Sequence, residues 1–414
     1  MQLARFSING LFDLHDYSIP FPTTTEDSSD PAVVILHGYN GVGKTTILRM
    51  IEGIMKMDFN PFRAVPFRVA TLEFNTGESL RVSKAKGVLR VAFQGVEVEL
   101  HPDHGGPREE SSSAQVAEFR TRFELATRSI NFEFLGDARS AFDNSTSDLD
   151  SADLDRSFLE YQRLLRSRDK RAGKDELSKK VQNFVRNAQL DSKTFFRSGE
   201  PELFDRIIND LTSPQRLDMT PESIREQLFI VREMEKQQIG FDLRIDEWDL
   251  DRLSRLLEES NQHTLSVIGT YAELLRSRAD SRQFVVDRLL TFESVMADFL
   301  HDKSVKVTGK GLTITSDSGR VLKEGQLSSG EYQLLYLMVA ALTTRRRGTV
   351  IAMDEPELSM HVEWQRKLVP SLIRCASRAN PQFLFATHSP DVAASYFEKL
   401  VVIGRGAPGA AAIS

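Results

Sequence analysis

The chain has 414 residues, a formal net charge of −6, 40% hydrophobic residues and 27% charged ones. That is an ordinary globular balance, long enough for a sizeable core in two or three domains, with no overall basic signature for nucleic acid. Cys375 is the only cysteine, which excludes an internal disulfide and any multi-cysteine zinc or iron–sulfur centre.

The N-terminus from Met1 to Phe6 has no signal-peptide h-region, and no apolar run approaches the ~20 residues that span a bilayer. With the single cysteine, this predicts a cytoplasmic protein with no membrane partner. A short strand is expected from Leu3 to Ile8, then a polar loop from Thr23 to Asp30. Ala32-Val33-Val34-Ile35-Leu36 is a continuous apolar run of the kind a buried parallel strand needs. Directly after it stands Gly38-Tyr39-Asn40-Gly41-Val42-Gly43-Lys44-Thr45, the G-x-x-x-x-G-K-[ST] pattern of a P-loop. Ile47, Ile51 and Ile54 then recur at helical spacing.

Strand, glycine loop and helix come in the order a phosphate cradle requires. Backbone N–H groups of Gly38, Asn40, Gly41 and Gly43, with the helix start at Lys44, Thr45 and Thr46, would close on phosphates. Lys44 would reach the β and γ phosphates of ATP, and Thr45 would offer its hydroxyl to Mg²⁺. A chance glycine-rich turn is the alternative, and the flanking strand and helix weigh against it.

Beyond the helix, the alternations Leu72/Phe74, Leu80/Val82, Leu89/Val91/Phe93 and Val96/Val98/Leu100 predict an antiparallel meander. His101 to Ser113 is expected as a loop. Its His101-x-x-His104 pair lacks a further ligand set, so a solvated turn is favoured over a metal pair. Phe132, Phe134 and Leu135 suggest another strand, and the acidic, Ser-rich stretch from Asp143 to Asp155 a linker. From 156 to 302 the pattern is helical. Pro201, Pro214 and Pro221, with Gly173, Gly199 and Gly240, cut it into ordinary lengths, which argues against a long coiled coil. Leu253 to Leu300 is the most continuous piece, with Leu265, Ile268, Leu274 and Leu275 on its packed face. Residues 161–200 hold eleven bases against five acids. A solvated helical face explains the excess, and a nucleic-acid or partner surface is the second reading.

From Ser304 to Val321 the sequence is β-like again. Leu327-Ser328-Ser329-Gly330-Glu331 then opens an apolar helix, which alone is an ordinary cap or an anion-binding end. Thr349 to Glu355 is an apolar strand ending in two carboxylates, a Walker B arrangement. Asp354 would hold Mg²⁺, and Glu355 would orient and deprotonate the attacking water. A further strand, Phe383 to Ala386, ends in Thr387-His388-Ser389-Pro390, which places His388 where ligands gather in open α/β sheets. Leu400 to Ile403 closes the sheet.

Taken together, the P-loop, Leu-Ser-Ser-Gly-Glu, Asp-Glu-Pro-Glu and Ala-Thr-His-Ser-Pro segments resemble the ABC-type ATPases. The run Asp354 to His361, followed by Glu363-Trp364-Gln365, is similar to the RecF/SMC-like and OLD-like group, which includes ATPase subunits of Septu-like and PARIS-like anti-phage systems. The resemblance covers roughly residues 1–100 and 304–403. It implies an α/β ABC-type ATPase head with a β-meander subdomain and an inserted α-helical lobe. The expected parts are 1–150 with Walker A, a lobe at 151–302, and 303–414 with the signature, Walker B and H-loop. It also implies catalytic roles for Glu355, His388 and Lys44, ATP and Mg²⁺ as cofactors, and a head-to-tail homodimer or higher even-numbered oligomer. In that dimer Ser328, Ser329 and Gly330 would complete the partner's site.

Two departures stand out: Ser329 replaces the Gly usual in transporters, and His361 replaces the Asp of their D-loop. The Q-loop has no assigned position, Arg139 being a weak candidate. The long insertion speaks against a transporter. The expected function is an ATP-hydrolysing sensor in anti-phage defence that controls a separate effector, a nuclease or toxin, because few residues follow Ile403. The alternative is a RecF-like repair ATPase. A scaffold that binds ATP without hydrolysis is a third reading, opposed by the intact Glu355 and His388.

Overall fold

The computed structural model describes residues 1–23, 31–85, 87–100, 113–136, 175–191, 205, 208, 220–243, 250–258, 261–344, 348–377, 379–394 and 396–404. The expected loop at 101–112, the acidic stretch 143–155 and Arg139 lie outside these residues, as does all of 161–200 except 175–191 and most of the loop 23–30. The chain divides into two compact units, Met1–Gly173 with Leu327–Ser414, and Lys174–Gln326.

The first unit is a mixed α/β assembly built on two sheets. A five-stranded parallel sheet has the order β14-β3-β13-β12-β8, with β3 at Val33–His37, β8 at Asn131–Leu135, β12 at Thr349–Asp354, β13 at Gln382–Thr387 and β14 at Leu400–Val402. Strands β3, β12 and β13 are buried along nearly their whole length, which is why they read as unbroken apolar runs. The second sheet is antiparallel, with the order β2-β1-β4-β5-β6-β7. Its strands are β1 (Leu3–Leu11), β2 (His15–Pro20), β4 (Val69–Phe74), β5 (Ser79–Ala85), β6 (Val88–Phe93) and β7 (Val96–Leu100). The meander expected from alternation is β4 to β7. Strand β2 is not among the expected elements, and β1 runs three residues past Ile8, ending in a turn where Phe12 and Asp13 take positive φ.

One face of the antiparallel sheet supplies Ala70, Leu72, Phe74, Leu80, Val82, Leu89, Val91 and Phe93 to a single core. The same core holds Val34 and Leu36 of β3 and Ile47, Leu48, Ile51 and Ile54 of the P-loop helix (Lys44–Lys56). This helix therefore buries its apolar stripe between the two sheets and leaves its N-terminus at the edge of the parallel one. Gln382 ties the sheets together. Its amide accepts from the Leu3 N–H at 3.0 Å and donates to the carbonyls of Leu3 (2.9 Å) and Pro22 (3.0 Å), fully out of solvent. A helix at Ser113–Thr127, also absent from the expectations, packs Phe123 edge-on against Phe93 at 5.3 Å.

In the second unit the helix at Pro221–Gly240 packs on the long helix Gln262–Phe299 through Ile224, Leu228, Val231, Ile268, Ala272, Leu275 and Ala279. Thr220 and Asn261 cap the two N-termini, and Pro221 sits in the first turn, where a missing N–H costs nothing. The guanidinium of the fully buried Arg288 lies over the rings of Phe184 and Phe284. A three-stranded sheet of β9 (Lys303–Thr308), β10 (Gly311–Ser316) and β11 (Val321–Leu322) completes the unit. Residues 303–326 therefore belong with the helices that precede them, whereas the sequence reading places them in the head. Glu293 of the long helix is one of the ties, accepting from the Val307 N–H at 2.7 Å and from Lys306 Nζ at 2.8 Å.

Replacing Gln382 by Leu keeps the volume roughly but strands three backbone groups in the core. It should lower unfolding stability by about 2–3 kcal/mol, read as a shifted denaturant midpoint at an unchanged slope.

Candidate functional site

The strand order brings three distant segments to one sheet edge. Strand β3 lies beside β13, and β13 beside β12, with His37 in register with Thr387 and Asp354 in register with Ala386. The P-loop, the turn after β13 and the Walker B carboxylates therefore emerge together at the carboxyl ends of parallel strands.

The loop is tightly seated from behind. A Cβ on Gly38 would fall 2.2 Å from the Ile403 carbonyl oxygen, and one on Gly43, whose φ is 101°, would fall 2.8 Å from Leu11 Cδ2. Tyr17 Oη donates to the Val42 carbonyl at 3.1 Å from the neighbouring hairpin. Gly41 also takes a positive φ, yet a Cβ there meets nothing within 4 Å, so the loop is crowded behind and open in front. Asn40 and Gly41 are exposed, and the helix starts at Gly43 without any side-chain cap on its N–H groups. Lys44 is buried, and its ammonium donates to the carbonyls of Gly38 at 2.8 Å and Tyr39 at 3.0 Å. These two acceptors offset the desolvation of its charge and point it along the loop. Thr46 sits half-buried in the first turn.

Thr45 Oγ1 donates to Asp354 Oδ1 at 3.0 Å. Desolvation pushes the Asp354 carboxyl above the usual range, with the Thr45 hydrogen bond pulling the other way, Glu355 adding to the rise, and Arg49 and Lys44 opposing it. A hydroxyl and a carboxylate oxygen this close are the hard donor set that suits Mg²⁺. The uncapped helix start and the loop N–H groups suit phosphate. The residues thus fit both groups that the sequence implies.

Glu355 follows β12 with φ 45°, a left-handed conformation that a non-glycine residue adopts at some cost. Its N–H is fixed by the Ala386 carbonyl at 2.8 Å. His388 Nδ1 lies 3.4 Å from Glu355 Oε1 and 3.6 Å from Glu357 Oε1. Two carboxylates therefore face the same ring nitrogen of His388.

Two members of this edge have no role in the sequence reading. Glu357, quoted there only as part of a run, is 3% exposed and accepts from Thr387 Oγ1 and from the N–H groups of His388 and Ser389. His37 closes β3. Burial and the nearby Lys44 push its imidazole below the ordinary value, while Glu357 acts in the opposite sense. The available signal was an ionisable residue ending a buried apolar strand.

The signature segment forms a capped helix at Ser329–Thr343. Ser328 Oγ accepts from the Glu331 N–H at 3.3 Å, and Glu331 returns the contact to the Ser328 N–H at 2.7 Å. The cap uses a lone pair of Ser328, so its hydroxyl proton stays available. Ser328 and Ser329 are exposed, whereas Gly330 is closed against the Ser359 carbonyl oxygen, which would lie 2.5 Å from a Cβ. His361, the D-loop departure, caps the next helix, Val362–Cys375, by accepting from the Glu363 N–H at 3.4 Å.

Residues 33–394 match the protein family described as "AAA domain, putative AbiEii toxin, Type IV TA system". Among solved structures, the chain is similar to the Smc head domain of Pyrococcus furiosus with an extended coiled coil bound to the C-terminal domain of ScpA. That match has 12% identity and a TM-score of 0.43, over 97% of this chain and 93% of that one. An SmcHead bound to the C-winged helix domain of ScpA matches at 11% identity and TM-score 0.43, over 98% and 95%. The SMC head domain from Thermotoga maritima matches at 12% identity and TM-score 0.38, over 98% and 95%. No curated protein matches the chain.

Substituting Lys44 by Ala removes the only buried cation of the loop. Nucleotide affinity, measured by calorimetry with Mg-ATP, should fall by about 2–3 kcal/mol, roughly 30- to 150-fold in Kd.

Proposed function

This chain belongs to that AAA-domain family, and we propose that it is a P-loop ATPase head of the ABC/SMC-like type that binds and hydrolyses ATP as the sensor subunit of an anti-phage defence system. Its output is a separate effector, a nuclease or a toxin. The observation that carries the enzymatic part is the Thr45–Asp354 hydrogen bond, with Glu355 and His388 on the same sheet edge. The family's description, which names a type IV toxin–antitoxin system, supports the defence part and does not favour the RecF-like repair alternative.

Each residue then has a task. The loop from Gly38 to Gly43, with Thr46 in the first helical turn, wraps the phosphates by backbone N–H groups. Lys44 swings from its two carbonyls toward the β and γ phosphates. Thr45 and Asp354 would hold Mg²⁺, which neutralises phosphate charge when bound. Glu355 accepts a proton from the attacking water as the water oxygen bonds to the γ-phosphorus. The bond to the β-bridging oxygen breaks, giving ADP and phosphate. His388, with its Nδ1 facing the carboxylates of Glu355 and Glu357, contacts the γ-phosphate or the attacking water.

The site is also half of a larger one. Asn40 and Gly41 face outward, and Ser328 and Ser329 are exposed at the start of their own helix. Both surfaces suit a head-to-tail homodimer in which the signature of one protomer meets the nucleotide of the other, so that ATP binding and assembly are coupled. Release of the dimer after hydrolysis is then the signal that an effector reads.

The Glu355→Gln variant keeps its shape and loses the proton acceptor. With Mg-ATP it should accumulate as a long-lived dimer by light scattering, with turnover reduced by about 100-fold or more. A variant that stays monomeric at saturating nucleotide removes the composite site. Co-purification of the wild-type chain with the product of an adjacent nuclease or toxin gene tests the defence role.

A further inference from the structure

We propose that Glu357 is a positioning residue of the hydrolytic site, holding the turn that carries His388 and hence the face that His388 presents to Glu355. The inference rests on the ATPase reading above. Glu357 belongs to the turn after β12, while His388 follows β13, so this carboxylate joins the two strand ends that must act together. Three donors converge on its Oε1: the Thr387 hydroxyl, the His388 N–H at 3.3 Å and the Ser389 N–H at 3.3 Å. Thr387 is itself locked, since its Oγ1 accepts from the Ser389 N–H at 2.9 Å. The same Oε1 lies 3.6 Å from His388 Nδ1, so the oxygen that bonds the His388 backbone also faces its ring.

Stability alone accounts poorly for a carboxylate here. Glu357 Oε2 is buried and has no hydrogen-bond partner among the described residues. A half-satisfied buried carboxylate is an expensive way to close a turn. What it supplies that an apolar or amide side chain lacks is negative charge, at a place where that charge reaches two imidazoles. One is His388. The other is His37, in register with Thr387, whose buried Nδ1 likewise has no partner among the described residues.

The test uses the full-length chain with four variants, Glu357→Gln, Thr387→Val, Thr387→Ser and Glu355→Gln. Turnover, KM, Mg-ATP affinity by calorimetry and the thermal midpoint are measured for each. Glu357→Gln and Thr387→Val should lower kcat by roughly 10- to 100-fold while leaving ATP affinity within about threefold of wild type. Thr387→Ser, which keeps the hydroxyl donor, should restore kcat. Parallel losses of kcat, affinity and melting temperature in both Glu357→Gln and Thr387→Val overturn the inference in favour of a purely structural role. Glu355-dependent turnover that Glu357→Gln leaves intact overturns the inference alone. A wild-type chain with no Glu355-dependent turnover overturns the ATPase reading and this inference with it.

Discussion

The hydrogen bond from Thr45 to Asp354 spans most of the chain, and it exists only because β13 is threaded between β3 and β12. Parallel strands need crossover connections, so neighbours in such a sheet are far apart in sequence. Here the crossovers include an entire second compact unit. The site's precision is therefore inherited from the sheet. Interstrand spacing of about 4.8 Å sets how far the P-loop, the His388 turn and the Walker B carboxylates stand from each other. A strand-register error of one residue would turn Asp354 to the opposite face and dissolve the pair.

A second constraint is close packing against glycine backbones, by another backbone at Gly38 and Gly330 and by a side chain at Gly43. Gly38 sits against the Ile403 carbonyl, Gly43 against Leu11, and Gly330 against the Ser359 carbonyl. The first two brace the loop from behind, so its N–H groups face outward without needing a ligand to order them, the preorganisation that electrostatic catalysis requires. The third ties the signature helix to the turn following Walker B, where Glu355 and Ser359 both take left-handed φ values of 45° and 67°. A shift of that helix cannot be absorbed by a side chain, because none lies between the two backbones.

Much of this was legible in the sequence, for identifiable reasons. Buried parallel strands read as the apolar runs Val33–Leu36, Thr349–Met353 and Phe383–Ala386, and the meander read as alternation, because both patterns are set by which faces are covered. The loop residues Gly38 to Thr45 were legible because left-handed conformations and backbone N–H cradles demand glycine. Of the helix-breaking residues, Pro221 and Gly240 bound a described helix of 20 residues, while Gln262–Phe299 runs unbroken over 38, longer than the ordinary lengths expected, because it contains no Pro and only Gly269. Strand β2 was hidden by its mixed composition, since only His15, Tyr17 and Ile19 turn inward. The helix Ser113–Thr127 has few apolar anchors, and Phe119 and Phe123 carry most of its burial. The placement of β9 to β11 with the second unit is held by contacts that no local pattern signals, among them Glu293 to Lys306 and Val307, Ser178 to Leu312, and Glu324 to the Leu177 and Ser178 N–H groups.

Glu357 was the hardest to see, because the sequence presents three carboxylates at positions 354, 355 and 357 and gives no means of ranking them. Burial ranks them. Asp354 is desolvated enough to hold its proton more tightly than a free aspartate, and its one fixed partner is a hydroxyl, an arrangement that favours a cation. Glu355 stays partly in solvent, with its backbone held and its side chain facing only His388, as a group that must take up and release a proton should be. Glu357 is closed off and saturated on one oxygen by donors from a neighbouring strand end. On the proposed reading, the same functional group would serve as ion ligand, base and brace. What separates the three is how much water each retains and which strand end supplies its donors.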